Sequence, residues 1–391
     1  MDLTLRNIGR LSDMSISISG LTVILGENST GKSTILKSLY AVAEAPVDIR
    51  SKKTDEIRRW LELHRLTDNL ELSTDPDAET RIENVRRLCA SGDGIDSKIG
   101  FESLEKLLNE DSYSKYLEIL IERNIRQEFG TLGQLRNLRN TDSVSRIRLS
   151  NGDAGITALL DTADGLSVEC PPDLRPMFGS VFYYDTPFIL DDFRRSGDHR
   201  GRLASAIMEF KERNAVDVLS TEESTGVFAK IVGSVIDGEF QQRGPDKEYV
   251  ENDGIHIDLR NMASGMKVFA MLEILVSEGK LMPASLLILD EPEAHVHPKW
   301  INTLGKLIVF MAKEMSIRIV MTTHNPQLLL AIQAHSLEQS LHTDYYSLHD
   351  VNGASELVDV SEKMGTVYET MSDAFDEVND LYWSLLDRGS S

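Results

Sequence analysis

Four short groups of residues in this chain have the types and spacings needed for work on a phosphate ester. Gly26-Glu27-Asn28-Ser29-Thr30-Gly31-Lys32-Ser33 follows the apolar run Leu21 to Leu25 and leads into Ile35, Leu36, Leu39, Val42 and Ala43 at helical spacing. Strand, glycine loop and helix in that order are the context in which G-x-x-x-x-G-K-[ST] reads as a phosphate-binding loop. The glycines let the backbone curl so that several N–H groups face one anion, and the helix starting near Lys32 adds the positive end of its dipole. On this reading Lys32 reaches the β- and γ-phosphates of a nucleotide and the Ser33 hydroxyl ligates Mg²⁺. Gly26, Asn28, Ser29, Thr30, Gly31 and Thr34 complete the nucleotide-binding set.

The second group closes the apolar run Ser285 to Leu289 with Asp290, Glu291 and Pro292. A continuously apolar strand ending in carboxylates suits a central parallel strand whose C-terminal end meets a ligand. Asp290 then holds the Mg²⁺ shell and Glu291 orients or deprotonates the attacking water. The third group, Ala263-Ser264-Gly265-Met266-Lys267, opens an amphipathic helix carrying Val268, Leu272, Leu275 and Val276, so Ser264 and Gly265 mark a second helix start able to receive an anion. The fourth is His324, at the end of the buried run Ile317 to Thr323 and before Asn325-Pro326, where an imidazole can hydrogen-bond a γ-phosphate. Each group also has a plainer reading: a helix cap for the carboxylates or for Ser264, and a polar strand end for His324. A zinc reading of His295, His297 and His324 needs all three on one rigid face.

The elements that must position these groups point to an α/β fold, a mixed sheet flanked by helices and interrupted by a mainly helical insertion. Residues 1–46 hold two short strands, Leu3 to Leu5 and Met14 to Ile18, then the strand feeding the phosphate loop. Residues 47–175 carry charged helical stretches over Asp55 to Leu70, Glu79 to Cys89 and Phe101 to Phe129, and end in a small antiparallel sheet from Val144 to Glu169. Residues 176–340 resume the sheet at Val181 to Tyr184, and continue through helices over Arg202 to Glu212 and Gly226 to Ile236. A hairpin pairing Phe240 to Gln242 with Ile255 to Ile257 is expected next. Residues 341–391 add a strand and an acidic amphipathic helix around Met371 to Leu381.

Taken in order, Gly26 to Ser33, Ala263 to Gly265, Leu286 to Glu291 and Thr323-His324 resemble the ABC ATPase superfamily. The longer string Leu289-Asp290-Glu291-Pro292-Glu293-Ala294-His295-Val296-His297-Pro298, with Thr322 to Pro326, is similar to the OLD-like branch of stand-alone ABC ATPases. That branch is related to the SMC and RecF heads and is frequent in bacterial anti-phage systems. The resemblance covers about residues 1–45 and 176–335. It implies ATP hydrolysis at sites shared by two copies, with Lys32, Ser33, Asp290, Glu291 and His324 of one copy facing Ser264 and Gly265 of the other. It departs from the common pattern at Met266, where many signatures carry glutamine, and at the missing glutamine near Asp185-Thr186.

Composition narrows the partners. With a formal net charge of −22, the chain is poorly suited to a broad, sequence-independent grip on nucleic acid or anionic lipid. Any nucleic-acid contact is then local, and Arg123, Arg126, Arg136, Arg139, Arg146 and Arg148 are the candidate cluster. No apolar run approaches the roughly 18 residues of a membrane span, and Met1-Asp2 opens no basic-then-apolar leader, which gives a cytoplasmic expectation. Cys89 and Cys170 are the only cysteines and support no disulfide framework. The segment after His324 is too short for the TOPRIM nuclease of OLD proteins. The expectation is therefore an ATP-dependent dimer, or higher oligomer, that controls a separately encoded nuclease or toxin. A RecF-like repair ATPase and a transporter's nucleotide-binding subunit are the alternatives.

Overall fold

The computed structural model describes residues 1–49, 52, 113–136, 144–161, 165–171, 174–191, 197–209, 215–243, 246–371 and 382. The helical stretches expected over Asp55 to Leu70 and Glu79 to Cys89, the first part of Phe101 to Phe129, Arg139 and most of the acidic tail helix lie outside the described residues. In chain order the elements are β1 (Asp2–Arg6), β2 (Met14–Ser17), β3 (Leu21–Gly26), α1 (Lys32–Glu44), α2 (Tyr113–Phe129), α3 (Leu132–Leu135), β4 (Ser145–Asn151), β5 (Ala154–Leu160), β6 (Leu166–Glu169) and β7 (Val181–Tyr184). A 3-10 turn, Pro187–Leu190, leads to α4 (His199–Met208), α5 (Ala215–Val232), β8 (Gly238–Arg243), β9 (Asp246–Glu251) and β10 (His256–Asp258). Then come α6 (Ser264–Ser277), β11 (Leu286–Asp290), α7 (Pro298–Glu314), β12 (Arg318–Thr323), α8 (Pro326–Glu338), β13 (Thr343–Val351) and β14 (Ala354–Asp359).

The central sheet runs β14-β13-β3-β12-β11-β7, parallel throughout except for the β13–β14 hairpin. Its inner strands are apolar on both faces because successive side chains enter two different cores. Leu21, Val23 and Leu25 of β3, with Leu287 and Leu289 of β11 and Ile319 and Met321 of β12, pack under α4 to α8. The alternate residues Ile24, Leu286, Ile288 and Val320 face α1 and α2. Burying one such side chain contributes about 1.5–3 kcal/mol. A sheet sandwiched this way therefore holds the C-terminal ends of β3, β11 and β12 rigidly side by side, and these ends carry the groups singled out above.

Three expectations take a different shape. The strands expected as a small sheet closing the insertion do not stand alone: β4 pairs with β1 and the order is β2-β1-β4-β5-β6. Ile147 and Leu149 of β4 pair beside Leu5 and Leu3 of β1 and widen one apolar face, which packs in the core shared with α1 and α2. The hairpin expected between Phe240 to Gln242 and Ile255 to Ile257 is a three-stranded sheet with β9 between them. The buried Lys247, whose Nζ bonds Glu278 and the Ile207 carbonyl, hides that strand's alternation. The arginine cluster does not form one solvent-facing patch. Arg136 is buried where its backbone bridges Ile8, Arg126 pairs with Glu122 at 2.7 Å, and Arg146 and Arg148 lie on the exposed face of β4.

Candidate functional site

The glycine loop expected to bind phosphate leaves the sheet at Gly26, whose φ is 148°. A Cβ there would stand 2.8 Å from the Leu348 carbonyl oxygen of the neighbouring β13, so glycine is required for the loop to turn against that strand. Thr30 Oγ1 donates to the Glu27 carbonyl at 2.8 Å and closes the loop, in which Ser29 also takes a left-handed φ of 66°. Arg10 braces it from outside, donating to the Ser29 carbonyl at 3.2 Å and to Asp350 at 2.7 Å.

Gly31 starts α1 in the left-handed conformation and gives the helix no side-chain cap. Its first N–H groups thus lack both an intrahelical and a side-chain partner. The next residue, Lys32, is only 5% exposed, and its ammonium donates to the carbonyls of Gly26 at 2.7 Å and Glu27 at 2.9 Å. Asn28 and Ser33 are exposed, with Ser33 in the first turn of α1, and Thr34 is half-buried.

Asp290 ends β11 with both carboxylate oxygens engaged. Thr322 Oγ1 donates to Oδ1 at 2.5 Å and the Tyr183 hydroxyl donates to Oδ2 at 3.2 Å. Each oxygen keeps a further lone pair for another partner. Glu291 follows with φ 49°, a left-handed position that costs a non-glycine residue about 1–3 kcal/mol. Its N–H holds that turn by donating to the Thr322 hydroxyl at 3.1 Å and the Thr322 carbonyl at 3.2 Å. The turn aims the side chain across the sheet end: Glu291 Oε1 lies 3.5 Å from Lys32 Nζ and 3.2 Å from His324 Nδ1. Three strands thus bring Lys32, Glu291 and His324 together.

The side chains flanking His324 explain why it stays at the mouth. Thr323 points inward and donates to the buried Glu293 at 2.5 Å, and Asn325 caps α8 by accepting from the N–H groups of Gln327 and Leu328. Burial pushes the Glu293 carboxyl above the usual range, with Thr323 only partly opposing it. His295 packs edge-on to Phe188 and His297 caps α7, accepting from the Lys299 N–H at 3.2 Å. The three histidines therefore take separate partners. Among the described residues no group of three or more His, Cys, Asp or Glu side chains is arranged to hold a metal ion.

Ser264 and Gly265 are placed by the loop after Glu291. A Cβ on Gly265 would lie 2.6 Å from the His295 carbonyl oxygen, so the start of α6 sits directly on that backbone. Like α1, α6 begins without a side-chain cap, whereas α4, α7 and α8 are capped by Asp198, His297 and Asn325. Buried Lys267 pins this helix end by bonding Asp191 and the Arg260 carbonyl.

Sequence reasoning missed Arg10, Tyr183, Thr322 and Thr323 as site residues. The available signal was a hydroxyl on an otherwise apolar strand, since buried Tyr and Thr hydroxyls need partners. Burial, with Asp290 nearby, holds the Tyr183 phenol well above its ordinary pKa, so it remains a donor.

Residues 21–331 match the family described as "AAA domain, putative AbiEii toxin, Type IV TA system". The chain belongs to this AAA family. Two curated proteins are similar to parts of this AAA-family chain. The energy-coupling factor transporter ATP-binding protein EcfA2 of Clostridium perfringens is 26% identical over 161 residues, covering 39% of this chain and 51% of that protein. The lipoprotein-releasing system ATP-binding protein LolD of Rickettsia bellii is 25% identical over 109 residues, covering 27% and 49%. The chain thus spans about half the length of the curated relatives it matches. Among solved structures, the SMC head domain from Thermotoga maritima aligns at TM-score 0.45 and 13% identity over 92% of this chain and 98% of that one. The Smc head with an extended coiled coil bound to the C-terminal domain of ScpA, from Pyrococcus furiosus, gives 0.48 and 12% over 95% and 99%. Among the described residues no helix is long and apolar enough to cross a membrane.

Proposed function

We propose that this chain is an ATP-binding and ATP-hydrolysing ABC-type switch protein. In this reading it closes head to tail on a second copy around two nucleotides and controls a separately encoded nuclease or toxin in bacterial anti-phage defence. The observation that carries the proposal is the convergence of Lys32, Glu291 and His324 beside a doubly held Asp290. ATP with Mg²⁺ fits the residues present: an uncapped helix start behind a loop whose Gly26 and Gly31 leave no room for a Cβ, a buried ammonium, and a carboxylate fixed in orientation. Ser33 and Asp290 are the residues that would hold Mg²⁺, which when bound neutralises charge on the phosphate oxygens.

The chain's own groups divide the remaining work. Lys32 supplies positive charge to the phosphates. Glu291, aimed by its left-handed backbone, orients water and accepts its proton. His324, in contact with Glu291, fixes that carboxylate and presents an imidazole to the γ-phosphate position. The uncapped start of α6, with Ser264 and Gly265, offers its N–H groups and positive dipole end to a second copy's nucleotide. The family's description supports a place in a toxin–antitoxin system, with the AAA-domain protein itself as the toxin component, so the separate effector rests on the co-purification test below.

Steady-state ATPase assays of the wild type, Lys32→Ala and Glu291→Gln test the chemistry. The first variant should lose nucleotide binding, and the second should bind ATP but turn over about 10²–10⁴-fold more slowly. Wild-type turnover by Glu291→Gln removes Glu291 from the catalytic role. Co-purification with the native operon followed by mass spectrometry tests the effector. The purified chain should leave plasmid DNA and RNA uncut with Mg²⁺ or Mn²⁺, and metal-dependent cleavage that maps to its own carboxylates contradicts the separate-effector reading.

A further inference from the structure

Tyr183 reaches Asp290 through the strand register. β7 is the edge strand beside β11, and Tyr183 pairs with Ile288, two residues before Asp290 and on the same face. The phenol is 1% exposed, and its ring stacks on His199 at a centroid distance of 4.1 Å and an interplanar angle of 21°. His199, the first residue of α4, is 3% exposed. Three contacts fix it. Its backbone N–H donates to Glu128 Oε1 at 2.8 Å, Nδ1 lies 2.6 Å from Glu128 Oε2, and Nε2 lies 3.1 Å from Asp185 Oδ2. Asp185 is held in turn by Arg200 Nε at 3.0 Å.

An imidazole gripped by two carboxylates from two other elements cannot turn without breaking both contacts. The Glu128 side of this grip is hydrogen-bonded, while Nε2 meets Asp185 as a close charged contact outside hydrogen-bond geometry; the bonded side holds the ring rigidly. Glu128 lies near the end of α2, within the 47–175 segment, so the grip joins α2, α4 and the residue that follows β7 at one ring. Apolar packing alone needs neither the phenol hydroxyl nor two carboxylates here. The hydroxyl instead occupies one lone pair of Asp290 Oδ2, while Thr322 occupies one on Oδ1. Together they set the plane in which the remaining lone pairs point.

We infer that Tyr183 is a positioning residue for Asp290, and that the Glu128–His199–Asp185 clamp holds the Tyr183 ring in place, tying α2 to the metal-holding carboxylate. The inference rests on the proposed role of Asp290 toward Mg²⁺. Partners that orient a metal ligand are typically worth about 10–100-fold in metal affinity. A displacement of α2 is then felt at Asp290 through one stacked pair of rings.

The test is fluorescence titration of the full chain with N-methylanthraniloyl-ATP, in Mg²⁺ and in EDTA, and the quantity read is the affinity gained from Mg²⁺. Asp290→Asn should abolish that gain. Tyr183→Phe, which removes only the hydroxyl, should shrink it about 10-fold or more while leaving binding in EDTA unchanged. His199→Asn should shrink it similarly but add nothing further in the Tyr183→Phe background, because residues acting through one another are not additive. If His199→Asn does not fold, Tyr183→Phe alone decides. A full Mg²⁺ gain in Tyr183→Phe, or equal weakening with and without Mg²⁺, overturns the positioning role while Asp290 stands. A full gain in Asp290→Asn overturns the reading of Asp290 and the inference together. Independent, additive losses overturn the clamp.

Discussion

Replacing Thr322 by valine removes one hydroxyl and almost no volume, and the structure assigns that hydroxyl two tasks. It is fully buried, donates to the Asp290 carboxylate at 2.5 Å and accepts from the Glu291 N–H at 3.1 Å. A hydrogen bond to a charged partner contributes about 1.5–3 kcal/mol. The Glu291 N–H keeps the Thr322 carbonyl at 3.2 Å as a second acceptor, so little is lost there. The expected destabilisation of Thr322→Val is therefore about 2–3 kcal/mol, read as a lower urea midpoint with an unchanged slope. The functional loss should be larger than the loss in binding. The left-handed backbone at Glu291 is strained by about 1–3 kcal/mol, and loosening its neighbour lets the carboxylate drift from Lys32 and His324. A misplacement of about 1 Å costs on the order of 100-fold in rate. Turnover should thus fall about 100-fold while KM for ATP changes by less than about threefold, and Thr322→Ser should restore most of both properties. A valine variant with wild-type urea midpoint and wild-type kcat refutes the argument.

Two further outcomes are expected. Ser264→Arg should block closure on a second copy while leaving ATP binding nearly intact. Mixing it with Lys32→Ala should restore partial ATPase through one intact composite site, and no recovery in a demonstrated heterodimer contradicts assembly between copies. The buried clamp predicts a pH window. Burial opposes charge on Asp185, but its contacts with His199 and Arg200 outweigh it and bring its pKa to about 2; burial likewise opposes charge on His199, but its contacts with Asp185 and Glu128 outweigh it and raise its pKa. Stability from the depressed carboxyl is present above about pH 4 and lost as pH falls toward 2, whereas stability from the raised imidazole is full below about pH 6.5 and lost as pH climbs above it. The difference in melting temperature between wild type and His199→Asn should therefore shrink above neutral pH. A constant difference from pH 5 to 9 contradicts the assignment.

How legible each part was follows from the range of the interactions involved. The phosphate loop could be read because strand, glycine turn and helix are contiguous, and Asp290 and Glu291 because a doubly buried strand leaves an unbroken apolar run before them. The partners that orient those groups are distant in sequence. Tyr183 and Thr322 meet Asp290 only through parallel pairing of β7 and β12 with β11, and as residues they look like ordinary members of buried strands. His199 sits in a polar, arginine-rich stretch that resembles a solvated loop, and only its contact with Glu128 reveals it as core. The same limit applies to the sheets. β4 finds β1 across the whole insertion, and β9 buries a lysine because Glu278 receives it. Arg136 resembled a surface charge until its bridge to Ile8 drew it inward.

The central claim, a nucleotide-driven closure of two copies, is tested most directly by sedimentation velocity of Glu291→Gln with and without Mg²⁺–ATP. Glu291→Gln keeps Lys32 and Asp290 and so retains ATP without discharging it. The account predicts a monomer without nucleotide, a stable dimer with ATP, and no such shift for Glu291→Gln combined with Lys32→Ala. The same sedimentation coefficient with and without bound ATP contradicts it.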